Sequence, residues 1–186
     1  MKRGIVGSGP GDHLNSYSII LMTMFYLQVK QLLPPVEDLQ QGVQEDIIND
    51  WNFSYDINYS LKKRSRADVT TLMKGFFNFY KNYLFETHVI CPLIGRPIKK
   101  YNLKYGYNLP KCLSQSPKFG KKQEKLDCNK ILVIQDPFEL TRNVSSIVSE
   151  RLVRFMVAVF EDAHEKLSSG HDLVDTIKDY QESCLL

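Results

Sequence analysis

The chain reads as an α+β protein, mostly helical, with a small β element. Three observations predict this. Apolar residues recur at helical spacing through "SRADVTTLMKGFFNFYKNYLF" and again through "VSSIVSERLVRFMVAVFEDAHEKL". Two short apolar runs, "HVICPLIG" and "KILVIQ", have the length of buried strands. No internal repeat is present that would signal a solenoid. With 186 residues, residues 1–186 are expected to form a single domain.

Taken in order, "GIVGSGPGDHLNSYS" is rich in Gly and Ser and leads as a loop into a helix capped by Asn15 or Ser16. That helix runs to about Val29 with apolar residues on every face, the pattern of a buried helix. Pro34 and Pro35 end it, because proline cannot continue the hydrogen-bond ladder. Residues 36–65 read as loop and short turns. The next helix places Val69, Leu72, Met73, Phe76, Phe77 and Tyr80 at helical spacing, and "HVICPLIG" follows as a strand with "RPIKK" as its exit. A basic loop spans about 96–130, and "KILVIQ" is the second strand. A long amphipathic helix then covers about 144–167, with Ile147, Leu152, Phe155, Met156, Val159 and Phe160 on or near one face. Gly170 ends it, before an acidic tail over about 171–186.

The net charge of +3 hides a segregation. Residues 96–130 hold ten Lys and Arg against two acids, whereas "VEDLQQGVQEDIINDWNFSYD" holds six acids and no Lys or Arg. Tyr101, Tyr105, Tyr107 and Phe119 interleave the basic stretch, and Lys99, Lys100, Lys104, Lys121 and Lys122 are its candidate RNA contacts. A solvated loop is the alternative, supported by Gly106, Pro110, Pro117 and Gly120. Cys91, Cys112, Cys128 and Cys184 form no C-x-x-C pair, and the four histidines stand at no ligand spacing, so no metal site is expected. The apolar run "SIILMTMFYLQV" is too short to span a bilayer and carries no cleavage pattern. An intracellular protein is expected, cytoplasmic before nuclear or mitochondrial.

Chemistry concentrates in "QDPFELTRNVSS", residues 135–146. As a plain strand-exit turn, Asp136 caps the following backbone, Pro137 restricts φ and Phe138 fills the core. That leaves Glu139 and the Arg142–Asn143 pair unexplained. Two carboxylates that accept N–H protons, beside a guanidinium that donates, also suit the edge of a nucleobase. Spacing alone leaves both readings open.

This stretch, continued as "QDPFELTRNVSSIVS", resembles the base-recognition motif of the terminal uridylyltransferases and cytoplasmic-type poly(A) polymerases, within the DNA polymerase β-like nucleotidyltransferases. "LNSYSIILMTMFYLQ" followed by "LLPPV" resembles that family's nucleotide-contacting helix and its Pro-containing turn. "TLMKGFFNFYKNYLFETHVICPLIG" resembles its helix-to-strand segment, and "MKRGIVGSG" the end of its Lys-Arg-x-x-Ile helix. The matches cover residues 1–30 and roughly 66–160 in the family's order. The resemblance implies the helical central, PAP-associated region. It assigns Lys2 to the triphosphate, Ser16 to the terminal phosphate, Tyr17 to stacking on the base, and Asp136, Glu139, Arg142 and Asn143 to the base-edge motif. The family commonly has His where this chain has Arg142. Arginine can reach a uracil carbonyl and fill a purine's space, or it can donate to acceptors on adenine.

The implied activity is transfer of uridylate, ahead of adenylate, from UTP or ATP to an RNA 3′ end. The complete enzyme would use Mg2+ or Mn2+ held by an Asp-x-Asp pair and a third Asp. No two acids in the 186 residues stand two positions apart. The expectation is therefore a chain without the catalytic palm domain, inactive alone, with that domain supplied in cis or in trans. The alternative is a non-catalytic RNA- or protein-binding scaffold derived from such an enzyme.

Overall fold

The computed structural model describes residue 5 and residues 12–61, 66–114 and 126–178. It divides into two compact units where the length suggested a single domain. One comprises Met1–Ser16, Ser65–Tyr83 and Ile147–Leu186, the other Tyr17–Arg64 and Leu84–Ser146.

The first unit is built on α3 (Val69–Lys81) and α6 (Glu150–Ser168). Asp68 caps α3 by accepting from Thr71 N–H at 2.7 Å, as a short carboxylate does at an N-cap. Phe76, Tyr80 and Phe160 make an edge-on aromatic cluster, with Phe76 centred 4.8 Å from Tyr80 and 5.6 Å from Phe160. The buried stripe of α6 runs through Leu152, Met156, Phe160, Ala163 and Leu167, a helical-face spacing. Ile147 and Phe155, expected on that face, are exposed. The helix starts six residues later than the apolar pattern suggested. Ser149 caps it, accepting from Leu152 N–H at 3.1 Å. Asp12 in turn accepts from Ser149 N–H at 2.8 Å and from its hydroxyl. The expected acidic tail begins as structure, since residues 173–178 are helical and Asp172 accepts from Val174 N–H at 2.7 Å.

The second unit contains α1 (Ser16–Val29) from Tyr17 onward, α2 (Val36–Leu39), two small antiparallel pairs, α4 (Lys100–Tyr105) and α5 (Lys111–Ser114). Although α1 is apolar all round, it buries Leu21, Met22, Phe25 and Tyr26 and leaves Ile20 exposed. Residues 47–52 form a hairpin unread in the sequence. β1 (Ile47–Ile48) pairs with β2 (Trp51–Asn52) around Asn49 and Asp50, both at positive φ (51° and 65°). Two consecutive left-handed residues make the turn whose twist suits a tight hairpin.

The predicted strands shrink. β3 (His88–Val89) pairs with β4 (Ile98–Lys99), and "KILVIQ" contributes bridges at Ile134 and Gln135 instead of a ladder. Pro92 has no N–H to extend the pairing, and the chain turns at Gly95, φ 63°. A Cβ on Gly95 would lie 3.1 Å from Pro35 Cβ and 3.3 Å from Gln28 Cβ, so glycine serves both the turn and the close approach. Val89, Cys91, Leu93, Ile98, Leu103, Leu113 and Val133 share one apolar cluster. The basic stretch read as a loop holds β4, α4 and α5 where it is described.

Candidate functional site

Residues 135–143 close on themselves around Asp136. Its Oδ1 accepts from the backbone N–H groups of Phe138 (2.9 Å) and Glu139 (3.1 Å). Its own N–H donates to the Arg142 carbonyl at 3.0 Å, and Arg142 N–H donates to the Glu139 carbonyl at 2.8 Å. Phe138 stacks on Phe53, centroids 5.2 Å apart. The capped-turn reading is thus correct for Oδ1, while Oδ2 faces elsewhere. It accepts from the Tyr17 hydroxyl at 3.2 Å, joining residues 119 apart in sequence. Arg142 Nη1 lies 3.8 Å from the same oxygen and 3.5 Å from Glu139 Oε2.

Burial divides the residues by task. Asp136 is buried, whereas Glu139 and Arg142 expose 45% and 55% of their side chains and Tyr17 is 36% exposed. Partial burial, reinforced by the Asp136 charge and hydrogen bond, pushes the Tyr17 phenol up to about 12. The phenol therefore remains a donor throughout the neutral range, holding its ring beside an acceptor, Glu139, and a donor, Arg142. An aromatic face with one acceptor and one donor at its margin suits a planar heterocycle.

Asn143, assigned with them to the base-edge motif, turns its amide inward and away from that edge. It is buried. Its Oδ1 accepts from Ile134 N–H (3.1 Å), Ser145 N–H (3.0 Å) and Ser145 hydroxyl (2.8 Å), and its Nδ2 donates to the Leu132 carbonyl at 3.2 Å. It is a strut that stands in for missing ladder bonds. Gln135, overlooked in the sequence, is a second strut. Fully buried, it donates to the Leu140 carbonyl at 2.7 Å and accepts from the Cys91 thiol at 2.8 Å. The signal was a lone amide ending an apolar run. Ser18, also overlooked, donates to the Val144 carbonyl at 3.3 Å and fastens α1 to the turn's far end.

Ser16 is exposed at the first position of α1. Lys2, Lys121 and Lys122 lie outside the described residues. Lys100 is buried and so withdrawn from any basic surface, because its ammonium donates to the carbonyls of Lys130 (2.5 Å) and Ile131 (2.8 Å). Lys99 and Lys104 are exposed. Among the described residues no three His, Cys, Asp or Glu side chains converge to hold a metal ion. The divalent ions that the resemblance implies for the complete enzyme do not fit the donors described there.

With this geometry in place, comparison with known proteins defines a class: the relatives of the chain are RNA nucleotidyltransferases, both terminal uridylyltransferases and poly(A) polymerases. One is the speckle targeted PIP5K1A-regulated poly(A) polymerase of Danio rerio, 31% identical over 153 residues, which are 77% of this chain and 19% of that protein. Another is terminal uridylyltransferase cid1 of Schizosaccharomyces pombe, 28% identical over 153 residues, 80% of this chain and 36% of the relative. The chain thus spans a minor part of the length of these relatives. Among solved structures, mtPAP in complex with UTP superimposes with a TM-score of 0.68 at 19% identity, over 94% of this chain and 33% of that one. The fold is therefore that of a segment of mtPAP. No protein-family model matches the chain.

Proposed function

We propose that this chain carries the base-recognition part of an RNA 3′-terminal nucleotidyltransferase that favours uridylate over adenylate. The observation that supports it is the Tyr17 hydroxyl at 3.2 Å from Asp136, which sets an aromatic ring from α1 beside the exposed Glu139 and Arg142 of a turn 119 residues later. In this reading the base stacks on Tyr17. Glu139 accepts the uracil N3–H, and Arg142 donates to a uracil carbonyl while its bulk opposes a purine. Asp136 positions Tyr17 and Arg142. Ser16 and Lys2 serve the phosphates, and an RNA 3′ end is the acceptor. Catalysis requires metal-holding carboxylates that an Asp-x-Asp pair would supply, a pattern absent from these 186 residues. Relatives carry speckle-targeted and mitochondrial names, in keeping with nucleus and mitochondrion standing beside the cytoplasm as candidate compartments. Among the described residues no helix is long and apolar enough to cross a membrane.

Titration of the chain with UTP and ATP, followed by the Glu139→Ala and Tyr17→Ala variants, tests this directly. Tighter binding of UTP, weakened at least roughly tenfold by either change, is expected. Equal affinities in all three proteins discard the assignment. RNA binding with no nucleotide binding supports the scaffold reading instead.

A further inference from the structure

Away from Tyr17, α4 presents an aromatic surface with no role in base recognition. Tyr101, Tyr105 and Tyr107 are 60%, 55% and 54% exposed, yet they contact one another. Tyr101 lies 4.7 Å from Tyr105, and Tyr107 stacks nearly parallel to Tyr101 at 5.7 Å and 16°. The backbone builds this arrangement. Tyr101 and Tyr105 meet one helical turn apart. Tyr107 joins them because the chain reverses at Gly106, φ 75°, with Tyr107 N–H returning to the Asn102 carbonyl at 3.0 Å.

Mutual support of a six-residue helix explains the contacts among the rings. It does not explain why more than half of each tyrosine's surface is left exposed. Beside the rings opens a cavity of about 640 Å³ that Lys99, Lys104, Tyr101 and Tyr105 line together with His88 and Asn129. Lys104 Nζ sits 5.7 Å from the Tyr105 ring centre. Burial and the neighbouring Lys99 charge lower the His88 pKa, so His88 offers a neutral ring at pH 7. Glu86 also lines the cavity and Asp127 lies close by, leaving a mixed but lysine-rich wall. Exposed aromatic faces with cations at their margin form the combination that binds unpaired bases and their phosphates.

We infer that the α4 tyrosine cluster and its cavity form a docking platform for single-stranded RNA, with bases stacking on Tyr101, Tyr105 and Tyr107 and phosphates meeting Lys99 and Lys104. Charge complementarity selects this occupant over an apolar partner. The inference rests on the reading of the chain as part of an RNA-acting enzyme, but it uses none of the nucleotide-site residues.

The test measures affinity of the full chain for a fluorescent oligouridylate of roughly 12 nucleotides, a length within the range of such sites. The Tyr101→Leu/Tyr105→Leu pair is expected to weaken binding roughly 10- to 100-fold. The Tyr101→Phe/Tyr105→Phe pair, which keeps both faces, is expected to stay within about twofold. Lys104→Gln should lower the slope of log affinity against log salt by about 0.7. Unchanged affinity in the Leu pair, or an equal loss in the Phe pair, overturns the platform. So does displacement of the RNA by polyglutamate as readily as by unlabelled oligouridylate, which would mark an acidic protein partner. Parallel UTP titrations keep the two readings apart. Tyrosine-dependent RNA binding without UTP binding removes the base-recognition site and keeps the platform, and the reverse removes only the platform.

Discussion

Asn143 separates holding the turn from reading a base, and Asn143→Ala measures the difference. The substitution deletes one donor and an acceptor shared by three partners, orphaning the Ile134 and Ser145 N–H groups in a buried environment. Leaving a buried donor unpaired costs about 1–3 kcal/mol. Two such groups give about 2–6 kcal/mol, and with partial relaxation around them the loss is about 3 kcal/mol, a large share of the usual margin of about 5–15 kcal/mol. For a chain of this size that lowers the midpoint by roughly 6–12 °C. Thermal unfolding followed by circular dichroism reads the shift. Below the lowered midpoint, UTP affinity should change far less than in Glu139→Ala, whose exposed carboxylate should affect stability by only about 0.5 kcal/mol. An Asn143→Ala protein of unaltered midpoint that fails to bind UTP would refute the strut and return Asn143 to the base edge.

Three further outcomes follow from particular contacts. Because the folded-state pKa of Tyr17, about 12, exceeds its ordinary value near 10, its stabilising contribution is full below pH 10 and is lost as pH rises toward 12. Wild type should therefore lose stability faster than Tyr17→Phe across that window in alkaline denaturation, and parallel curves would contradict the Tyr17–Asp136 bond. Ser149→Ala removes the α6 cap and the hydroxyl's bond to Asp12 while keeping the backbone N–H bond, and should cost about 1–2 kcal/mol in urea unfolding; a cost below about 0.3 kcal/mol would count against the cap. At Gly106 an added Cβ meets nothing within 4 Å, so Gly106→Ala is penalised through its φ alone, by about 1–2 kcal/mol. The same change should weaken oligouridylate binding by moving Tyr107 off Tyr101; retained affinity alongside the stability loss would separate Tyr107 from the platform.

Where periodicity was strong, the sequence was legible. The spacing of Phe76 and Tyr80, and of Leu152, Met156 and Phe160, announced α3 and α6, because helix burial repeats on a fixed period. The start of α6 was misplaced since Val144, Ile147 and Val148 continue the apolar pattern; Ser149, bound to Asp12, decides the boundary through a contact 137 residues away. The strands were overextended because an apolar run reveals burial but not pairing. Ile131 to Ile134 are packed and hydrogen-bonded piecemeal, with Asn143 substituting for a neighbouring strand. In the candidate site, the paired acids flagged the turn and the family resemblance linked it to Tyr17. Neither revealed that Asp136 divides its two oxygens between backbone and Tyr17, or that Asn143 and Gln135 face inward. Residue type gives the capacity to hydrogen-bond, and only the fold decides the direction. The tyrosine cluster was half visible: interleaved Tyr and Lys suggested polyanion binding, while the reversal at Gly106 that brings Tyr107 onto Tyr101 is a property of backbone dihedrals.

The most direct test of the proposed base-recognition site is hydrogen–deuterium exchange of the chain with and without UTP, resolved to peptides covering residues 17–29 and 132–146. Two segments that grip one base should slow together, with matching dependence on UTP concentration, and Tyr17→Ala should abolish the effect in both. Protection confined to one of the two, or surviving intact in Tyr17→Ala, would contradict a shared site.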